Sequence, residues 1–203
     1  LIGHSMGTYV ALMTAKLFPD LVSDLVLVDG GTSLTIPAHA DPDAALDAAL
    51  GPAIQRLQKV WADRDEYAAM WAAHPAYADG ISDELRRTLL ADLAPATDGD
   101  GFRVTVDEAA IRHDGRELFV DPEVGQLLHE RNTPTTVIHA PLGLDGAPPP
   151  LVREEAVAAL PHHRWIPAPG HNHYTVLLSP AGAELVAGTL RSTAGISDPA
   201  DRA

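Results

Sequence analysis

The sequence has 203 residues, 46% of them hydrophobic and 21% charged, which favours one globular domain with room for an inserted subdomain. Its formal net charge is −14; an acidic surface repels phosphates, so we expect neither nucleic acid nor an anionic membrane as a partner. It has no cysteine, which excludes disulfides, thiolate metal sites and a cysteine nucleophile. No apolar run is long enough to span a bilayer and no signal-peptide pattern is present, so we expect a soluble, cytoplasmic protein.

The first seven residues, Leu-Ile-Gly-His-Ser-Met-Gly, contain the pattern Gly-x-Ser-x-Gly with Ser5 at its centre. This pattern is typical of a nucleophile elbow, a sharp strand-to-helix turn that exposes the serine hydroxyl. We expect a side chain at Gly3 or Gly7 to crowd the backbone of so tight a turn. The N–H of Met6 would lie at a helix N-terminus and could stabilise an oxyanion, and His4 would pack within the elbow. The alternative is an ordinary strand–turn–helix whose serine caps the helix.

A helix and a buried strand are predicted after the serine. Apolar residues recur at helical spacing over residues 6–18, and the apolar run 25–28, which ends before Asp29 and two glycines, predicts a buried parallel strand. Together these segments form a βαβ unit. Only Leu1 and Ile2 precede the motif, whereas strands usually have about five residues. We therefore expect the chain to be a C-terminal fragment of a longer protein.

A helical insertion is predicted next. Its expected elements are helices at 44–50, 54–70 and 83–93, a strand at 102–106 and a further helical segment at 107–118. The main sheet needs none of them, so we interpret residues 37–119 as a cap over an active site, with a plain surface excursion as the alternative. Trp61, Met70 and Trp71 are candidates to line an acyl pocket, although such residues more often form a core.

The remainder of the chain predicts the second half of the sheet. The expected elements are strands at 134–140 and 163–166, a short helix at 152–160 and a terminal helix broken near Pro180. We expect a parallel-sheet core built from residues 1–36 and 120–192. Residues 193–203 are polar and small, and we expect them to be disordered.

Three predicted loops at the carboxyl ends of strands carry a serine, an aspartate and a histidine in that order: Ser5, Asp145 and His173. With the elbow at residues 3–7 and the segment Asn-His-Tyr-Thr-Val-Leu-Leu at 172–178, the chain resembles the α/β-hydrolase superfamily. The likeness is to a capped, esterase-like member with a serine nucleophile, present as a C-terminal fragment that lacks the N-terminal strands. It implies the α/β-hydrolase fold: a parallel sheet with helices on both faces, an incomplete N-terminal half and a helical cap insertion.

The resemblance also implies a role for each residue of this set. Ser5 would be the nucleophile, His173 the base that takes its proton, and Asp145 the acid that fixes the imidazole tautomer. The N–H of Met6 would be one oxyanion donor, and the second would come from a loop upstream of residue 1.

Several alternatives stay open at this point. Asp29, which follows the preceding strand, is the alternative acid, although it is also compatible with a simple strand-end role. Asp145 stands beside Gly146, as turn aspartates often do. His171 competes with His173 as the base, and the two histidines together are compatible with a metal site.

We therefore expect a serine hydrolase that cleaves an ester or related acyl bond of a small-molecule substrate through an acyl-enzyme intermediate, without a metal or an organic cofactor. The alternatives are a non-catalytic binding protein of the same fold and a metal-binding protein. We also expect residues 1–203 alone to be poorly soluble and inactive. The reason is that the strand at 25–28 would lack a neighbour and would expose an apolar face.

Overall fold

The computed structural model describes residues 1–34, 39–97, 99–130 and 133–196. The helices in chain order are α1 (Met6–Leu17), α2 (Pro42–Gln58), α3 (Arg64–Ala72), α4 (Asp83–Leu90), α5 (Glu108–Val120), α6 (Pro122–Gln126), α7 (Glu154–Ala159), α8 (Thr175–Leu178) and α9 (Pro180–Thr193). The strands are β1 (Ile2–His4), β2 (Leu25–Val28), β3 (Leu93–Pro95), β4 (Phe102–Val104), β5 (Thr135–His139) and β6 (Arg164–Pro167). Within the described ranges, none of the helices combines the length and apolar character that crossing a membrane requires.

The chain divides into two compact units. The first consists of Leu1–Ser33 and Glu123–Ala203, and the second of Leu34–Pro122. That the second unit caps a site stays a prediction. Of the tail expected to be disordered, residues 197–203 lie outside the described residues.

The first unit is built on a four-stranded parallel sheet in the order β1-β2-β5-β6. The expectation that the strand at 25–28 lacks a neighbour is wrong, because β1 pairs with β2 on one side and β5 pairs with it on the other. A third contact extends the β1 pairing, since the N–H of Val26 donates to the carbonyl of Leu1 at 2.9 Å. The edge strands of this sheet are β1 and β6, so β2 is an inner strand.

Helices cover both faces of this sheet, as predicted. Successive strand residues point to opposite faces, and Leu25 and Leu27 pack into one cluster with α1 residues such as Leu12. Val26 and Val28 pack into a second cluster with residues of α8 and α9. All four residues of β2 are buried, which confirms the continuous apolar run as a strand covered on both sides.

The helices of the second unit differ from the prediction. α2 runs through Pro52 without a break, where two helices were expected. Leu46 and Ile54 are both buried, and their spacing of eight residues places them on one face, so packing outweighs the local cost of the proline. The break comes later, where the side chain of Asp63 caps α3 by accepting a hydrogen bond from the N–H of Glu66 at 2.8 Å.

The same unit contains a small hairpin, of which the strand β4 was predicted, at 102–106, and the strand β3 was not. The helix predicted at 83–93 ends at Leu90, and β3 follows it and pairs antiparallel with β4. The N-cap of α4 is Ser82, whose hydroxyl accepts a hydrogen bond from the N–H of Leu85 at 3.1 Å. The sheet formed by β3 and β4 is separate from the main sheet.

The aromatic residues proposed as an acyl pocket belong to the interior of the second unit. Trp61 and Trp71 are 3% and 4% exposed, and Tyr67 between them is fully buried. The rings of Trp61 and Tyr67 meet edge to face with centroids 5.1 Å apart, a favoured aromatic geometry. This packing fits the core interpretation of these tryptophans, while Met70 is only partly buried.

Two glycines of α9, Gly182 and Gly188, should differ in how well they tolerate a side chain. A Cβ on Gly182 would lie 2.2 Å from the carbonyl oxygen of Thr175, whereas among the described residues a Cβ on Gly188 meets only the side chain of Arg191, at 3.8 Å. Overpacking costs about 1–3 kcal/mol, and alanine is favoured over glycine inside a helix by roughly 0.5–1 kcal/mol. We expect Gly182→Ala to lower the urea midpoint of unfolding and Gly188→Ala to keep or raise it. A Gly182→Ala variant as stable as the parent would contradict the packing described here.

Candidate active site

Ser5 lies at the turn between β1 and α1 and adopts a strained backbone conformation. Its φ is 55° and its ψ is −124°. For a residue other than glycine, this backbone conformation costs about 1–3 kcal/mol. The N–H of Ser5 donates to the carbonyl of Val28 at 3.0 Å, and its carbonyl accepts from the N–H of Thr8. Met6 is the first residue of α1, so its N–H is among the donors that have no acceptor within the helix.

The elbow is tight at Gly3 and open at Gly7. A Cβ on Gly3 would lie 2.1 Å from the carbonyl oxygen of Gly7, as expected for a residue that must let β1 approach α1. The same expectation for Gly7 is wrong, since among the described residues a Cβ there meets nothing within 4 Å. A third glycine was missed: a Cβ on Gly30 would lie 2.6 Å from Thr8 Oγ1 and 2.7 Å from the carbonyl oxygen of Ser5.

A continuous set of hydrogen bonds joins Ser5, His173 and Asp29. His173 Nε2 lies 2.9 Å from Ser5 Oγ, and His173 Nδ1 lies 2.7 Å from Asp29 Oδ2. His173 is 2% exposed and Asp29 is completely buried. A carboxylate only accepts, so Nδ1 carries the proton and Nε2 presents a lone pair to the serine hydroxyl.

The carboxylate of Asp29 is held by the strand next to it. Asp29 directly follows β2, and its second oxygen, Oδ1, accepts from the N–H of Ala140 at 2.9 Å. The N–H of Asp29 donates to the carbonyl of Ile138 at 2.7 Å, which continues the β2–β5 pairing beyond Val28. Asp29 has a φ of 48°, so the chain turns sharply and directs this side chain between the strand ends.

Asp145, the first candidate for the acid, lies elsewhere. It is exposed in a turn closed by a hydrogen bond from the N–H of Gly143 to the carbonyl of Ala147, and Gly146 beside it has a φ of 72°. Among the described residues, no hydrogen bond or ion pair joins Asp145 to His173. The partner of His173 is therefore the second candidate, Asp29. The physical reason is that β2 neighbours β1 directly, while the loop carrying Asp145 turns into solvent.

The two histidines of the last loop have different surroundings. His171 Nδ1 lies 3.4 Å from the hydroxyl of Ser179, whereas His173 reaches Ser5 and Asp29. Within the part of the chain that the structure describes, no group of three or more histidine, aspartate or glutamate side chains is arranged to hold a metal ion.

Asn172 fixes the loop that presents His173. Its side-chain oxygen accepts from the N–H groups of Tyr174 and Thr175, each at 2.9 Å, and its own N–H donates to Thr175 Oγ1 at 2.9 Å. A β-bridge from Asn172 to Leu142 ties the loop to the segment that follows β5. An asparagine just before a helical segment is a sequence signal for such a turn, and the sequence interpretation did not use it.

Comparisons with known structures agree with this architecture. An E-2-(acetamidomethylene)succinate hydrolase superposes with a TM-score of 0.70 at 21% identity, covering 95% of this chain and 65% of that one. A marine microorganism esterase gives 0.56 at 19% identity, covering 94% and 68%. A thioesterase domain from the curacin biosynthetic pathway gives 0.61 at 21% identity, covering 94% and 65%. The chain thus spans about two thirds of the length of these proteins, and the likeness concerns the fold.

The parallel sheet and the strand–turn–helix at Ser5 define the α/β-hydrolase fold. The family described as alpha/beta hydrolase fold matches residues 1–180. The chain belongs to this family. A search of curated protein sequences gives no significant match.

The two glycines of the elbow, Gly3 and Gly7, should respond differently to replacement by alanine. In Gly3→Ala the new methyl group overlaps backbone atoms of Gly7, so β1 and α1 must separate, and we expect a loss of at least about 1–3 kcal/mol in the free energy of unfolding. Gly7→Ala is the matched control: it meets open space and replaces a helical glycine, a change worth up to roughly 1 kcal/mol in favour of folding. Urea unfolding followed by far-ultraviolet circular dichroism measures both. Equal destabilisation by the two variants would contradict the geometry of the turn.

Proposed function

We propose that this chain carries the catalytic machinery of a serine hydrolase that cleaves an ester, thioester or related acyl bond. Ser5 is the nucleophile, His173 the general base and Asp29 the acid that orients it. The observation that carries the proposal is the uninterrupted series of bonds, 2.9 Å from Ser5 Oγ to His173 Nε2 and 2.7 Å from His173 Nδ1 to Asp29 Oδ2, with His173 and Asp29 both buried.

The first half of the reaction transfers the acyl group to the enzyme. Ser5 Oγ attacks the acyl carbon while its proton passes to His173 Nε2. Asp29 stabilises the imidazolium that forms and does not take its proton. The negative charge that develops on the acyl oxygen is met by the N–H of Met6 at the start of α1, where the helix dipole adds to the stabilisation.

The second half releases the acyl group. The tetrahedral intermediate collapses, and the leaving group departs with the proton held on His173 Nε2. His173, neutral again, takes a proton from a water molecule that attacks the acyl-enzyme carbon. The second intermediate breaks its bond to Ser5 Oγ, which recovers the proton from His173, and the acid product leaves.

Two arguments support an acyl compound as the substrate. A serine held by a neutral imidazole suits an acyl bond, whose carbonyl carbon accepts an oxygen nucleophile. The names of the structural neighbours include an esterase and a thioesterase, which favours a small acyl compound as the substrate. The role of residues 37–119 as a cap belongs to the same proposal.

The direct test is labelling with a fluorophosphonate probe, followed by peptide mapping. The protein is used with any sequence that precedes residue 1 included. We expect a covalent adduct on Ser5 that is absent in Ser5→Ala and forms far more slowly in His173→Ala, since general-base catalysis contributes about 10²–10⁴-fold. A folded protein that gives no adduct would favour the alternative, a binding protein of the same fold without catalysis.

The choice of acid has its own matched pair of variants. Asp29→Asn keeps the shape of the side chain but allows the wrong imidazole tautomer, and such a change costs about 10⁴-fold in comparable triads. We expect Asp29→Asn to slow the labelling of Ser5 by roughly this factor and Asp145→Asn to leave the rate unchanged. The second-order rate constants of labelling measure both. If Asp145→Asn were the slower variant, the assignment of Asp29 would be overturned.

A further inference from the structure

His4 lies against the imidazole of His173, on the side of β1 that faces away from α1. The two rings stack with centroids 4.7 Å apart and an angle of 29° between their planes. His4 Nε2 also lies 2.8 Å from the carbonyl oxygen of His173. Alternation along β1 explains the placement: Gly3 meets α1, so the next residue faces the loop that carries His173.

The bond to the carbonyl fixes the protonation of His4. A carbonyl oxygen only accepts, so His4 Nε2 carries the proton and, in the neutral ring, Nδ1 does not. The side chain of His4 thereby makes two different contacts with His173. It donates a hydrogen bond to the backbone carbonyl of His173, and its ring stacks on the imidazole of His173. Few residue types offer both.

His173 is consequently held from several directions. Asp29 accepts from Nδ1, Ser5 Oγ lies at Nε2, and the ring of Tyr174 meets it edge to face at 5.4 Å. Without His4, one face of the imidazole and the carbonyl of its own residue would lose their contacts. We propose that His4 is a positioning residue, which keeps the His173 imidazole aligned between Ser5 and Asp29 through the stacked rings and the bond to the His173 carbonyl.

The charge of His4 matters for this role because His173 becomes positive during the reaction. Burial lowers the pKa of His4, and the neighbouring charge of His173 lowers it further, while the bond to the His173 carbonyl and the charge of Asp29 act in the opposite direction. His4 is therefore neutral at neutral pH and does not repel the imidazolium. Acidification through its pKa places a second positive charge against His173. A further histidine near Asp29 is His139: burial lowers its pKa, and the charge of Asp29 acts in the opposite direction.

The proposal rests on the proposed function, and one series of variants tests the two separately. His4→Phe keeps a ring without the donor, His4→Gln keeps a donor without the ring, and His4→Ala removes both. Loss of alignment at a reacting group costs up to about 10²-fold, so we expect His4→Ala to slow fluorophosphonate labelling of Ser5 by up to this factor. The Phe and Gln variants should each recover part of the rate. His171→Asn is the control, since it removes a histidine of the same loop that contacts Ser179.

A pH profile separates positioning from a general loss of structure. In the parent protein, acidification through the pKa of His4 places a positive charge against the imidazolium that His173 becomes during the reaction, so this protonation lowers the labelling rate. In His4→Phe and His4→Gln this imidazole is absent, and we expect their labelling rates to fall less than the parent rate over the same drop in pH. Urea unfolding of each variant shows that the protein measured is folded.

The outcomes distinguish the two proposals. No Ser5 adduct in the folded parent protein overturns the proposed hydrolase itself. An adduct that forms at the parent rate in His4→Ala, or a decrease with acidification that is the same in the parent, His4→Phe and His4→Gln, overturns the role of His4 and leaves the hydrolase standing. Slowed labelling in His4→Ala, partial rescue by the Phe and Gln variants and an unchanged His171→Asn support it.

Discussion

The buried carboxylate of Asp29 is the constraint on which the rest of the site depends. A carboxylate without contact with water is stable only if its oxygens are satisfied, and here Ala140 N–H and His173 Nδ1–H each supply a bond to a different oxygen. The first bond requires β5 beside β2, and the second requires the last loop to return over both strands. The strand order β1-β2-β5-β6 meets these requirements, and it places Ser5, at the carboxyl end of β1, beside His173.

The elements that depend on local sequence were predictable. Gly-x-Ser-x-Gly before a helical pattern indicated the elbow, and the run Leu25–Val28 indicated a strand buried on both faces, because each signal lies within a few adjacent residues. In the second unit, burial of residues on both sides of Pro52 keeps α2 continuous. No local pattern contains that information, since it depends on what packs against the helix.

The sequence offered two candidates for the carboxylate beside His173, and it could not decide between them. Asp29 and Asp145 both follow strands, and a one-dimensional pattern does not give the distance from either strand end to His173. A usable signal was the glycine pair after Asp29: Gly30 leaves no space for a side chain next to Thr8 and the elbow, so the turn after β2 must lie against the serine. Asp145, by contrast, stands in a turn of ordinary chemistry beside Gly146.

The central claim is that Asp29, His173 and Ser5 act as one unit with the N–H of Met6 as an oxyanion donor. The most direct measurement is a crystal structure of the protein after reaction with a fluorophosphonate, which mimics the tetrahedral intermediate. The account predicts phosphorus bonded to Ser5 Oγ, a phosphonyl oxygen within hydrogen-bond distance of Met6 N, and His173 Nδ1 bonded to Asp29. A His173 turned to another carboxylate, or a phosphonyl oxygen directed away from Met6, would contradict it.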